Sequence, residues 1–231
     1  TIDLQAYAKI ADLDLEVRFT NNPFWSSKGA LPVFYIGNQV YTSFEELVTY
    51  LKSKNIWPDY GLNAKEHAET TAYTNMLKEK LLPALLYVWW LDDKNCLRLT
   101  RPWYSKVLPF PFNFYYPNKY QNESRELIEA IFGDDDSKSD IETKVYGAAE
   151  KCLTALSVRL GDSDFMFGNH PRGLDATLYS YLAPLLKAPF PNPTLQNHLK
   201  ACTNLFKFVT RINQHYFPTY TQGERYSNSE G

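Results

Sequence analysis

Residues 165–186 read FMFGNHPRGLDATLYSYLAPLL, and this stretch decides how the rest of the chain is organised. A helix is expected over 174–187, and helical periodicity surrounds it on both sides. Upstream, 64–91 forms one long pattern through Ala68, Ala72 and Met76 into a dense apolar second half, which Pro83 should bend or divide. Further helices are expected over 96–107, 123–132, 141–160 and 194–217. Within 141–160, Ile141, Val145, Ala149, Cys152, Leu153, Leu156 and Leu160 mark one continuous face. Two stretches break the pattern. Residues 108–120, LPFPFNFYYPNKY, are proline-spaced and aromatic and are expected to be extended or irregular. Residues 133–140, GDDDSKSD, are expected to form an acidic exposed loop, and the polar tail from Thr219 to be a linker or disordered.

The first 61 residues mix helix and strand signals. Ile2, Ala6, Ile10 and Leu13 fall at helical spacing, with Leu4 and Tyr7 beside that stripe. Over 15–20, Leu15, Val17 and Phe19 alternate with Glu16 and Arg18, as a half-buried strand does. LPVFYIGNQVYTS follows, which predicts two short strands about the turn dipeptide Gly37-Asn38. Ser43 with Glu46 three positions on predicts a capping box opening a helix over 44–54, striped by Phe44, Leu47, Val48 and Leu51. The expected architecture is therefore α+β and mostly helical: a mixed subdomain over 1–61, an all-helical one over 62–218, and a tail over 219–231.

Composition narrows the chemistry. The 231 residues carry 24 Lys+Arg against 26 Asp+Glu, so the basic footprint of a nucleic-acid binder is missing from the chain as a whole. Cys96, Cys152 and Cys202 are odd in number and widely spaced, and His67, His170, His198 and His215 stand apart, so neither a disulfide framework nor a metal site is expected. The longest apolar run, 81–91, contains Pro83 and falls short of the roughly 20 residues a spanning helix needs, so it should be core. No GxGxxG, P-loop, GxSxG or HExxH is present. The adjacent carboxylates Glu45-Glu46, Asp92-Asp93 and 134–136 suit caps and solvated loops better than acid/base pairs, and Trp89, Trp90, Trp103 and Tyr104 suit core packing better than a ligand box.

A small mixed segment followed by helices resembles the outline of the glutathione transferase fold, in which a thioredoxin-like domain packs on a helical one. Three local features sharpen the likeness. Leu31-Pro32 precedes a strand, where the transferases carry a cis proline, so Pro32 is expected to be cis. Thr42-Ser43 occupies the place of the acid or amide and serine that grip glutathione; Ser43 fits but Thr42 does not, so Ser43 is expected to act as a helix cap. Asp175 matches the aspartate that caps the core helix, while Arg172 stands where the family has serine or threonine, so Asp175 is expected to be structural.

Longer stretches are similar to the metaxins, in particular to their first and third paralogue group: EKLLPALLYVWWLDDKN (79–95), TRPWYSKVLPFPFNFYYP (100–117), FGNHPRGLDATLYSYLAPLL (167–186) and the opening TIDLQAYAKIADLDLEV. That resemblance implies a non-enzymatic subunit at the cytosolic face of the mitochondrial outer membrane. It implies pairing with a second-type metaxin and work with the β-barrel sorting and assembly machinery in protein import. It also implies a first strand, with any catalytic nucleophile, upstream of Thr1, and any membrane anchor beyond Gly231 or in partners. No catalytic, cofactor or metal residues are assigned. Two other roles stay open: an adaptor linking mitochondria to transport motors, and a working glutathione transferase. An extended 108–117 would send alternate side chains to opposite faces, so Phe110, Phe112, Phe114, Tyr115 and Tyr116 are the residues expected to contact a partner.

Overall fold

The computed structural model describes residues 2–13, 16, 33–54, 56, 58–133 and 138–218. Its elements in order are α1 (Ile2–Ile10), β1 (Phe34–Ile36), β2 (Gln39–Tyr41), α2 (Phe44–Ser53), α3 (Ala64–Met76), α4 (Leu82–Leu86), α5 (Asp93–Asn95), α6 (Arg101–Val107), α7 (Phe112–Phe132), α8 (Lys138–Leu160), α9 (Gly173–Lys187), α10 (Thr194–Ala201) and α11 (Thr203–Tyr216). Strands β1 and β2 pair antiparallel, Phe34 opposite Tyr41, around Gly37, whose φ of +57° suits the turn. Apart from Glu16, the strand expected over 15–20 lies outside the described residues, as do Pro32 and the tail from Thr219.

Helix α9 is the centre. Of its fifteen residues only Lys187 is exposed, and Leu174, Ala176, Leu178, Tyr179, Leu182, Ala183 and Leu185 lie in the core. Helices α1, α3, α10 and α11 pack around it. The α8 face is buried as its spacing requires: Val145, Ala149, Cys152, Leu153, Leu156 and Leu160 are in the core and Ile141 packs at its edge. In α1 the stripe is rotated from expectation. Leu4, Ala6, Tyr7 and Ala8 are buried and Ile2 is exposed, because α9 takes the face centred on Leu4 and Tyr7.

The long pattern over 64–91 is one helical path whose ladder changes pitch rather than breaking. Leu77–Leu81 and Tyr87–Leu91 are π turns on either side of Pro83. Leu82 N–H reaches back to Leu77 O, which opens the ladder ahead of a residue that has no N–H to give. The 81–91 run is buried or half-buried throughout. The single helix expected over 194–217 is instead two, because the backbone turns at Cys202 (φ −76°, ψ 78°). Beside that turn, Asn204 ties α11 to the end of α8 by donating to Ser157 O (2.8 Å) and Gly161 O (3.1 Å).

A buried helix must place its end groups without water. At the C-terminus of α9, Gln196 Nε2 lies within hydrogen-bond reach of the carbonyls of Leu185 (2.9 Å), Leu186 (3.0 Å) and Ala188 (2.9 Å). At the N-terminus, Asp175 Oδ1 accepts from Met166 N–H and Oδ2 from Arg172 N–H, both at 2.8 Å. Arg172 has no acceptor to replace the serine or threonine of the related folds, and Asp59 supplies it: its Oδ1 accepts the Gly173 N–H at 2.7 Å. Arg172 turns outward instead, its Nη1 donating to Pro58 O (2.9 Å) and Tyr60 O (2.7 Å). The segment ahead of α3 is thus latched to the central helix from both sides.

The latch leaves no room at Gly173, where a Cβ would sit 2.8 Å from Asp59 Oδ2 and 3.0 Å from Oδ1. Gly173→Ala should therefore lower stability by about 1–3 kcal/mol, although alanine is the better helix former. In an Asp59→Ala background the same substitution should cost close to nothing, and urea unfolding of the four proteins closes the cycle. Additive effects would show that the two do not touch.

Burial pushes the Asp175 carboxyl up to about 7, against the pull of its two backbone N–H bonds, and the Asp59 charge adds to the rise. A folded-state value above the ordinary 3.8 means that the folded protein keeps a proton the unfolded chain has lost. Asp175 should then contribute less stability as pH rises from 4 to 7. Relative to Asp175→Asn, which cannot ionise, wild type should lose at least about 1 kcal/mol across that window and level off above it. Parallel stability curves for the two proteins would contradict the shift.

Candidate functional site

Residues 108–120 do not run extended. After a turn over 108–111, with Phe110-Pro111 cis, α7 begins at Phe112 and continues for 21 residues through Pro117. Proline lacks a donor but keeps its carbonyl. Pro109 O accepts from Asn113 N–H (3.2 Å) and Pro111 O from Phe114 N–H (3.1 Å), so the prolines start the helix instead of preventing it. Pro117 lies six residues in and removes only one ladder bond. The strand-like alternation expected for the rings is therefore wrong, and helical spacing replaces it.

That spacing sorts the five aromatic residues. Phe110 (80% exposed), Phe114 (63%) and Tyr115 (59%) are open to solvent, while Phe112 and Tyr116 are half-buried. Behind them runs a chain of ring contacts. Tyr115 meets Tyr116 at 5.3 Å, Phe112 meets Tyr116 at 5.8 Å, and Tyr116 stacks on Tyr120 at 5.9 Å. Tyr120 in turn meets buried Trp90 at 5.6 Å and Tyr104 at 6.0 Å. Such pairs add to plain area burial and hold one another's angles. Trp103, expected in the core, is instead exposed and lies edge-on to Tyr104 at 5.1 Å.

Polar groups fix the helical hairpin of α6 and α7 from within. Thr100 Oγ1 donates to Trp89 O at 2.7 Å, and Gln121 Nε2 to Trp90 O at 2.9 Å, which satisfies carbonyls at the end of the 64–91 path. Arg101 Nη2 donates to Gln121 Oε1 (2.6 Å) and Asn118 Oδ1 (2.8 Å), joining α6 to α7. Beside the rings, Leu86, Trp90, Tyr120, Glu123, Ser124 and Leu127 line a cleft of about 280 Å³, at the low end for a small-molecule site.

The glutathione-like position offers less. Ser43 caps α2, its Oγ accepting the Glu45 N–H at 3.2 Å; Glu46, named for a capping box, takes no part in that bond. Glu45 faces Lys78 at 3.0 Å, an exposed pair. Asp92 caps α5 and also accepts from Asn192 Nδ2 at 2.6 Å. Burial raises the Cys96 thiol and pushes Cys152 up to about 12, which leaves both poor thiolates. Asp175 is spent at the start of α9, and no group of three or more His, Cys, Asp or Glu able to hold a metal occurs among the described residues. The predicted residues do not gather in one place. Ser43 and Asp175 serve separate helix ends, and only the 110–116 rings share a surface.

Sequence comparison places the chain among known proteins. Residues 1–121 match the family described as outer mitochondrial membrane transport complex protein, and 149–212 match the glutathione S-transferase C-terminal domain. Metaxin-1 of Mus musculus is 38% identical over 215 residues, 92% of this chain and 68% of the mouse protein. Metaxin-3 of Danio rerio is 36% identical over 227 residues, 97% of this chain and 72% of that protein. Among solved structures, glutathione S-transferase III in its apo form has a TM-score of 0.59 at 15% identity, covering 96% of this chain and 90% of that one. The beta-etherase LigF from Sphingobium sp. strain SYK-6 has a TM-score of 0.61 at 15% identity, covering 96% and 94%. The structural likenesses show a glutathione-transferase-like fold and nothing further. The sequence matches, spanning more than nine-tenths of its length, make this chain a member of the metaxin family.

Proposed function

We propose that this protein is a non-enzymatic subunit of the protein import and β-barrel sorting and assembly machinery of the mitochondrial outer membrane. It works on the cytosolic face, pairs with a second-type metaxin, and acts through protein contacts. The observation that carries this reading is the exposed edge of Phe110, Phe114 and Tyr115. Three large rings stand in solvent on a helix start that is held by the stacked array behind them. Side chains fixed before binding lose little entropy on binding, and aromatic residues anchor interfaces. Phe112 and Tyr116, half-buried, serve as the backing of the edge.

Enzymatic glutathione chemistry has little support. The serine that would grip the ligand caps a helix, threonine stands beside it, and the two buried thiols are held protonated by burial. No described helix is long and apolar enough to cross a membrane.

Replacing Phe110 and Phe114 together with serine should weaken pairing with a second-type metaxin by more than about 1 kcal/mol, measured by calorimetry, with the melting temperature little changed. Pairing at wild-type affinity would remove the edge from the interface. In a second assay, the protein should not turn over a generic electrophile with glutathione. Turnover abolished by Ser43→Ala would establish it as a transferase.

A further inference from the structure

The same hairpin carries a charge pattern that the chain as a whole conceals. Between Lys94 and Lys119 lie five basic residues (Lys94, Arg98, Arg101, Lys106 and Lys119) and no acidic one. The rest of the chain holds nineteen basic residues against twenty-six acidic. A protein of net charge −2 therefore presents one locally cationic segment, and that segment contains the exposed rings.

The cations are largely unspent. Lys119 faces Glu123 at 3.7 Å, and Arg101 is held by neutral oxygens of Asn118 and Gln121. Lys94, Arg98 and Lys106 are exposed and form no salt bridge among the described residues. Leu97, beside Arg98, and Trp103, one helical turn from Lys106, are exposed as well. Apolar surface and positive charge thus alternate along α5, α6 and the start of α7.

We infer that this hairpin docks an acidic segment of a partner protein, its carboxylates meeting Arg98 and Lys106 while apolar side chains cover Phe110, Phe114 and Tyr115. The inference rests on the proposed role as a pairing subunit and names the chemistry of the partner at that edge. Charge complementarity supplies the argument, since opposite potentials steer encounter and fix register, whereas the rings hold the complex once formed. An anionic bilayer fits less well. The remainder of the molecule is net negative and would be repelled by such a surface, and Phe110 meets Phe114 edge to face at 6.4 Å while Tyr115 meets Tyr116 at 5.3 Å, an arrangement that suits a partner of defined shape.

The test uses the whole chain, a second-type metaxin and two double variants at exposed positions, Arg98→Glu with Lys106→Glu and Phe110→Ser with Phe114→Ser. Circular dichroism melting serves as the folding control. Wild-type affinity should fall about tenfold between about 50 mM and 500 mM salt. The charge reversal should weaken pairing about tenfold or more at low salt and less than threefold at high salt. The ring variant should weaken it equally at both. Loss with the ring variant but none with the charge reversal would overturn the acidic partner and leave the pairing edge standing. Indifference to both variants would overturn the edge and the inference together. Binding of wild type, but not the charge reversal, to vesicles of 70% phosphatidylcholine and 30% phosphatidylserine, with pairing unaffected, would assign the cations to a membrane and also overturn it.

Discussion

A helix buried on almost every side has nowhere in solvent to send its end groups, and the rest of this structure is arranged around that constraint. Helix α9 supplies the centre of the core, so its first N–H groups and last carbonyls must find partners inside the protein. Asp175, Asp59 and Gln196 provide them. Two of these lie outside α9, one ahead of α3 and one on α10, so satisfying the helix ends also fixes where those segments sit. The desolvation of Asp175 is the energetic trace of this arrangement.

The N-cap position of α9 carries Arg172, which has no side-chain acceptor, and the fold makes good that lack from elsewhere. Asp59, from the segment ahead of α3, supplies the acceptor, which brings that segment close enough to exclude even a methyl group at Gly173. Arg172 then uses its guanidinium on the backbone of the same segment. A substitution that looks like a defect in one dimension is a tether in three.

Much of this was legible in the sequence, because long periodic segments speak clearly. The buried face of α8, the turn at Gly37 and the capping of α2 by Ser43 follow from spacing and side-chain chemistry alone. The failures have physical causes. Prolines at 109, 111 and 117 read as breakers, but a helix start needs acceptors before donors, and proline carbonyls serve. Pro83 was expected to bend or divide the helix, and π turns flank it on both sides. The break at Cys202 carries no glycine or proline to announce it. Asp59 was invisible because its partner lies 114 residues away. The cationic segment was concealed by a balanced total charge.

The same frame that holds the core presents the aromatic edge, since the rings of α7 lean on Trp90 and Tyr104, and Trp90 belongs to the helical path that packs towards α9. This edge, rather than the cleft beside it, is where we propose that the protein acts. A photocrosslinking amino acid placed at position 115, compared with one at exposed Val158 on α8, tests it most directly in the intact assembly. Crosslinks to a second-type metaxin are expected from position 115 and few from 158. Crosslinks from 158 with none from 115 would contradict it.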